Sequence, residues 1–335
     1  MRELTLITVG LALLAAAWTI LFLVTRSVVT HRSRARAAAL ERMRRPALQI
    51  VYSDEPPDIA DLDRGDVEAL STLVMRYGRR VRGEPRERLA NFAERSGIAA
   101  DQRRALTRRG AWRRATAAFA LGDAGDRDAI PALLTALEDR DRAVRIAAAR
   151  SLGSLGAVEA VDPLVESIAA GRIPWIEGGQ ALIELGSGAA PILRELAADQ
   201  ASPLRARAIE LLGHVGDAGD APIVERALAA DAPELREEAA RALGELGARD
   251  SIAALRRTLR DPEPAVASAA AASLGAIGAH DVVGDLLAIA RGGSFEAARA
   301  AATAAAKIDS RAVVAAAEQP GAGPHVEAAA DLARI

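Results

Sequence analysis

The sequence predicts an all-α protein: a right-handed α-solenoid of about seven helical hairpins with an N-terminal helical cap, preceded by one transmembrane helix. Three observations carry this. An anchoring leucine, typified by the LGELG stretch at Leu243–Gly247, recurs at Leu121, Leu152, Leu182, Leu212, Leu243 and Leu274, with Ala305 as a worn seventh copy, at intervals of 30 or 31 residues. Such a period marks a repeat architecture, in which each unit buries its apolar face only against its neighbours. Aromatic residues make up only 3% of the chain, and the strong helix formers Ala, Leu, Arg and Glu dominate. No long segment alternates apolar and polar residues, so no sheet is indicated. Finally, the 22 residues Leu4–Thr25 carry no charge, and as a helix they would span about 33 Å, enough for a bilayer core.

The span is the first element. Ala15–Ala17 offer small residues for cleavage, so a signal peptide competes with an anchor. The apolar run continues through Trp18, Ile20, Leu21, Phe22, Leu23 and Val24, which favours an uncleaved anchor. Arg2 precedes the span, whereas Arg26, Arg32, Arg34, Arg36, Arg42, Arg44 and Arg45 follow it. Basic flanks stay in the cytoplasm. The reading is therefore a single-pass protein of the inner (plasma) membrane, with residues 1–3 outside and the C-terminal domain cytoplasmic. The absence of cysteine fits this placement without requiring it.

Residues 26–64 follow as a basic juxtamembrane segment and an acidic linker. The arginines either contact anionic headgroups or serve only as the topology signal. Pro46, Pro56 and Pro57 break helix, and six acids between Asp54 and Asp66 make residues 46–64 an extended linker. Residues 65–111 read as the helical cap. Asp66 looks like the N-cap of a helix running to about Arg82, with Val67, Leu70, Leu73, Val74 and Tyr77 on one stripe. Further helices are expected from Pro85 to Arg95 and from Asp101 to Arg109. They lack the repeat signature and would cover the first repeat's core face.

The repeats occupy residues 112–319. In the fifth, Leu235, Ala239, Ala242, Leu243 and Leu246 share one helical face, and Ile252, Leu255 and Leu259 supply the antiparallel partner helix. Gly213, Gly244 and Gly275 follow the anchoring leucine, where close packing is expected to exclude a side chain. Gly216, Gly247 and Gly278 fall at the helix C-terminus, where a left-handed conformation costs glycine little. Residues 320–335 are a C-terminal half-repeat or a tail.

Asp139 with Val144–Arg145, and Asp199 with Leu204–Arg205, followed by AAARSLGSLG and ARAIELLGHVG, resemble the short bacterial HEAT repeats also seen in phycobilin lyase subunits. The resemblance implies that this Asp and Arg bond across the turn and tie successive units together. It also implies that the helices bearing the signature line the concave side. The layout of one span, a helical cap and these repeats resembles bacterial membrane-anchored HEAT-repeat proteins, which often accompany membrane glycosyltransferases. A membrane-associated enzyme of that kind is the partner class implied.

The third repeat departs from the pattern. Trp175 stands where the turn arginine is expected, and Gly178–Gly179 stand where alanines are expected. Either the solenoid bends there and exposes Trp175 as an anchor for a partner, or Trp175 fills space left by the glycines. In the sixth repeat Ala267 replaces the arginine.

The net charge of −2 conceals an asymmetry: residues 1–114 carry 22 arginines and 13 acids, net +9, and residues 115–335 carry 21 basic residues and 32 acids, net −11. The densest basic stretch holds Arg76, Arg79, Arg80, Arg103, Arg104, Arg108 and Arg109, with Tyr77, Phe92 and Trp112 interleaved. It could bind nucleic acid, dock on anionic lipid or an acidic partner, or be a solvated cap with aromatics in the core. Tyr77 and Phe92 fall on apolar stripes, which weakens base stacking and leaves nucleic acid unlikely. For a chain held at a membrane the charge placement favours lipid or an acidic partner.

No catalytic constellation is present in the sequence. His31, His214, His280 and His325 are scattered, and His214 and His280 read as solvated. Asp123, Asp126 and Asp128 crowd one turn but lack the glycine and distal glutamate of an EF-hand loop. Asp217 and Asp220 in the matching turn read as helix caps. No metal site, no cofactor and no enzymatic activity are expected. The functional reading is a non-catalytic membrane-tethered scaffold that positions a protein partner at the cytoplasmic face. The alternatives are a bilin-lyase-like enzyme or enzyme subunit, and a helical-repeat nucleic-acid binder. The partner surface is expected on the signature helices of the middle repeats, at Arg150, Glu177, Arg207, Glu210, Glu238 and Arg241, with Trp175 at its edge.

Overall fold

A computed structural model of the chain describes residues 18–19, 22–23, 25–27, 30–31, 33–53, 57–58, 61–78 and 80–334. Of the predicted span, only Trp18, Thr19, Phe22, Leu23 and Thr25 fall among them; the rest lies outside the described residues. Among the described residues no helix is long and apolar enough to cross a membrane. The described residues form helices joined by turns, with no strand among them. They divide into two compact units, Met1–Ala132 and Leu133–Ile335.

The first unit contains α1 (Arg44–Tyr52), α2 (Arg64–Gly78), α3 (Glu84–Arg95), α4 (Ile98–Ala105) and α5 (Ala111–Ala124). Its core joins Ile50 and Val51 of α1, Leu70, Leu73 and Val74 of α2, Leu89 and Phe92 of α3, Ile98 of α4 and Ala124 of α5. Residues 44–52 therefore correct the expected extended linker. Pro46 sits in the first turn of α1, where a missing N–H costs little, and Ala47, Ile50 and Val51 recur at the i, i+3, i+4 spacing of a buried face. The stripe begins earlier, with Ala39 and Met43 also in the core.

The helix cap at the start of α2 is Asp63, not Asp66: Asp63 Oδ1 accepts the Asp66 N–H at 2.8 Å. The helix also stops at Gly78 rather than near Arg82. A β-carbon on Gly78 would run into the Asp123 carbonyl of α5, with that carbonyl carbon 2.9 Å away, so the two helices touch backbone to backbone. The third cap helix starts three residues before Asp101, because Gly97 turns the chain at φ +74°. The first signature helix, α5, packs on α2, α3 and α4.

The second unit is a row of hairpins. Its signature helices are α7 (Arg142–Leu155), α9 (Trp175–Leu185), α11 (Arg205–Val215), α13 (Pro233–Glu245), α15 (Pro264–Ile277) and α17 (Phe295–Ile308). Each is followed by its partner: α8 (Val161–Ala169), α10 (Ala190–Ala198), α12 (Ala221–Glu225), α14 (Ile252–Thr258), α16 (Val283–Gly292) and α18 (Ser310–Ala317). A last helix, α19 (Pro324–Ala333), packs on α17 and α18, and its His325 ring meets Phe295 edge-on at 4.8 Å. The division between units falls inside α6 (Ile130–Ala136).

The anchoring leucines Leu152, Leu182, Leu212, Leu243 and Leu274 are all buried, each contributing about 2 kcal/mol of burial. The glycine after the leucine works as expected. A β-carbon on Gly153 would lie 2.9 Å from Ala181 Cα, and one on Gly275 would lie 2.9 Å from Ala304 Cα. The small residue thus sets how closely successive signature helices approach. The terminal glycines divide: Gly247 and Gly278 are left-handed at φ +63° and +74°, but Gly216 is extended at φ −78° and corrects the expectation. There the chain leaves α11 directly into the capping box formed by Asp217 and Asp220.

Candidate partner-binding surface

The surface is built from the signature helices of repeats two to five. Arg150 on α7, Arg207 on α11 and Arg241 on α13 are exposed; Glu177, Glu210 and Glu238 are half-buried. Helical spacing pairs these charges along their own helices. Arg207 Nη1 lies 2.9 Å from Glu210 Oε2. Arg241 binds Glu238 at 2.6 Å and Glu237 at 2.5 Å. Burial pushes the Glu238 carboxyl up; Arg241 opposes the shift, and Glu210, Glu245 and Glu237 reinforce it. His214 is not simply solvated, because its Nδ1 lies 3.3 Å from Glu245 Oε2. Ala147, three residues before Arg150 on α7, is fully buried.

Trp175 is half-buried, with the Arg207 guanidinium 5.3 Å from its ring centre. A β-carbon on Gly179 would meet the six-membered ring at 3.3 Å, and one on Gly178 would meet Ile168 Cδ1 at 2.6 Å. The double glycine therefore seats Trp175 and Ile168 together, so the tryptophan fills that space and stays partly exposed. Along the signature helices of the second unit, α9 and α11 make the sparsest contact.

The ladder arginines connect turns through carbonyls as well as carboxylates. Arg145 donates to Asp139 O at 2.8 Å within its own turn and to Arg172 O at 2.9 Å in the next. Arg205 donates to Ala197 O at 3.1 Å. Only Arg236 makes the paired form, with two 2.8 Å bonds to Asp261, and that guanidinium holds the Asp261 carboxyl below its ordinary range. In the fourth repeat Asp220 is bound by Arg194. Burial pushes its carboxyl up, but the Arg194 bond, the Asp217 N–H and the Arg194 charge outweigh it and leave it lowered.

In the first unit the predicted basic face is partly spent on structure. Arg79 lies outside the described residues, while Arg76, Arg80, Arg108 and Arg109 are exposed. Arg104 pairs with Asp101. Arg103 is no free cation: it binds Glu94 at 2.8 Å and Asp126 at 3.1 Å and lies 3.6 Å from Asp128. The three carboxylates offer oxygens within 4.8 Å of one another. Asp126 and Asp128 are neighbours in the sequence, whereas Glu94 joins them only in the fold, from α3. Asp126 is buried, its Oδ2 has no hydrogen-bond partner, and burial pushes its carboxyl up. Arg103 occupies the centre of this cluster, so its evident role is to neutralise the acids. Phe92 is buried while Trp112 is exposed, so one of the interleaved aromatics belongs to the core and another does not.

The HEAT-repeat profile matches residues 105–182 and 221–307. Those two segments carry HEAT repeats. The unmatched stretch between the two segments begins inside α9, the helix with Trp175 and the double glycine, and takes in α10 and α11. No curated protein matches this chain. Among solved structures it is similar to human deoxyhypusine hydroxylase in complex with glycerol, at 19% identity over 82% of this chain and 98% of that one, TM-score 0.33. It is also similar to the CpcE–CpcF complex of phycocyanin lyase from Nostoc sp. PCC7120, at 24% identity over 70% and 94%, TM-score 0.35. A third is YibA of Escherichia coli, at 14% identity over 83% and 99%, TM-score 0.41. These likenesses are too distant to carry an activity or a partner across.

Proposed function

We propose that the chain is a non-catalytic scaffold, tethered to the cytoplasmic face of a bacterial inner membrane by residues 4–25, whose HEAT repeats hold a protein partner. The observation that supports it is the succession of exposed and half-buried charges on neighbouring signature helices, from Arg150 through Arg207 and Glu210 to Glu238 and Arg241. An extended face of mixed charge gives specificity and orientation rather than chemistry. A membrane-associated enzyme is the partner class in keeping with the tether, and the exposed arginines Arg76, Arg80, Arg108 and Arg109 suit an anionic lipid surface beside it.

Charge reversal at Arg207 and Arg241 together is the test of the surface. Partners recovered with the solubilised full-length protein should fall at least several-fold while the variant stays folded, since both side chains are exposed and each helix pair lost with Glu210, Glu237 or Glu238 is worth about 0.5 kcal/mol or less. Undiminished recovery would remove the middle repeats from the interface. The tether predicts resistance to carbonate extraction and protection of the repeats from protease added to intact spheroplasts. Digestion of the repeats from outside would reverse the orientation.

A further inference from the structure

An open cleft of about 480 Å³ lies beside the partner surface, where the turns entering α7, α9 and α11 come together. Arg142, Arg145, Arg172 and Arg207 line it with Trp175 and Leu204, and no carboxylate lines it among the described residues. This is a concentration of positive charge in the part of the chain, residues 115–335, that carries net −11. The four arginines differ in freedom. Arg145 is held by the carbonyls of Asp139, Arg140 and Arg172, which leave its charge uncompensated. Arg207 is shared between the Trp175 ring and Glu210. The guanidinium groups of Arg142 and Arg172 make no hydrogen bond or ion pair among the described residues. Pro174 and Leu204, the N-cap residues of α9 and α11, supply no side-chain acceptor, so the positive ends of both helices add to the field.

We propose that this cleft binds an acidic segment of the partner protein, with carboxylates on Arg142 and Arg172 and an apolar side chain against Trp175 and Leu204. The inference rests on the scaffold reading and names the chemistry of one part of its surface. The lining decides the ligand class. Ile168, Ile173 and Pro203 add apolar walls, which a free phosphate would not use. Arg207 covers the Trp175 ring, which removes the open aromatic face on which a nucleotide base would stack. Guanidinium pairs beside an apolar wall match a peptide that alternates Asp or Glu with leucine. The departures of the third repeat make the cleft: Trp175 replaces the ladder arginine, and the turn at Gly171–Pro174 carries Arg172 to its rim.

The test uses the full-length protein with Trp18→Phe and Trp112→Phe, which leaves Trp175 as its only tryptophan. Its fluorescence is titrated with a peptide of alternating glutamate and leucine, the same peptide with glutamine for glutamate, inorganic phosphate, and a single-stranded thymidine oligonucleotide. The glutamate peptide should give a saturable change that weakens with salt and becomes at least tenfold weaker in Arg142→Glu/Arg172→Glu. Arg142→Gln/Arg172→Gln should be intermediate, and Arg311→Glu, on α18, should leave it unchanged. Equal response to the glutamine peptide, equal or stronger response to phosphate or the oligonucleotide, or no saturable response at all would overturn the proposal. An unaltered affinity in folded Arg142→Glu/Arg172→Glu would do the same. If recovery of partners falls with Arg207→Glu/Arg241→Glu but not with Arg142→Glu/Arg172→Glu, the scaffold stands and the cleft is not its acidic-peptide site. If neither variant affects recovery, the scaffold reading fails as well.

Discussion

Gly78→Ala is expected to destabilise the first unit by about 3 kcal/mol, and Gly244→Ala the second by about 2 kcal/mol, both large for the addition of one methyl group. At Gly78 the new β-carbon meets backbone, the Asp123 carbonyl, which cannot rotate away. At Gly244 it meets Ser273, with Cβ 2.6 Å and Cα 2.8 Å distant, and Ser273 is itself buried and donates to Ala240 O at 2.8 Å. Relief in either case requires two helices to separate, which opens the contact that buries the neighbouring alanines and leucines. Gly284 is the control. It lies in helix α16 with open space around it, so Gly284→Ala should be neutral or stabilising by up to about 1 kcal/mol. Urea unfolding followed by circular dichroism gives the size, and hydrogen exchange in peptides from each unit locates it. Wild-type stability in both destabilising variants would mean that these helices do not approach as described.

The repeat period made this packing readable in advance. A glycine beside the anchoring leucine, recurring every 31 residues at Gly213, Gly244 and Gly275, has no use on an exposed face and an obvious one at a helix crossing. The helix boundaries near the N-terminus were less legible. Pro46 and the acids after it read as a linker because proline is judged by what it breaks, yet in a first turn it breaks nothing, and the stripe Ala47, Ile50, Val51 was the better signal. The placement of Gly78 depends on Asp123, 45 residues away, and no local pattern carries such a distance.

The candidate surface was legible in the same uneven way. The repeat register placed Arg207, Glu210, Glu238 and Arg241 on the signature helices, but it treated them as independent charges. Their pairing along each helix follows from i, i+3 and i, i+4 geometry. The cleft was not legible, because Arg142, Arg172 and Arg207 come from three repeats and converge only when the turns stack. Trp175 was flagged by its departure from the ladder pattern, and departures from a repeat are where a solenoid has room for something other than its own packing.

Arg103→Ala is expected to cost the first unit about 2 kcal/mol at neutral pH. Deleting one member of a buried ion pair strands its partner, and Asp126 is only 8% exposed. The estimate is below the value for a fully buried pair because the Arg103 side chain is 23% exposed. Glu94 and Asp128 would then repel Asp126 without compensation. The pH dependence follows from the direction of the shift. Burial already holds the Asp126 carboxyl above its ordinary value, and losing Arg103 raises it further. A carboxyl raised in the folded state binds its proton more tightly there than in the unfolded chain. The penalty should therefore be fully present well above the folded value and diminish as pH falls through it towards the ordinary aspartate range. Asp126→Asn removes the charge while keeping the side-chain oxygen that accepts the Asp128 N–H at 3.1 Å. Arg103→Ala/Asp126→Asn should consequently be more stable than Arg103→Ala alone at neutral pH, and the two should converge in acid. Additive losses in the double variant, or a penalty for Arg103→Ala that does not change with pH, would show that Arg103 acts through packing of its stem and not by neutralising the carboxylates around it.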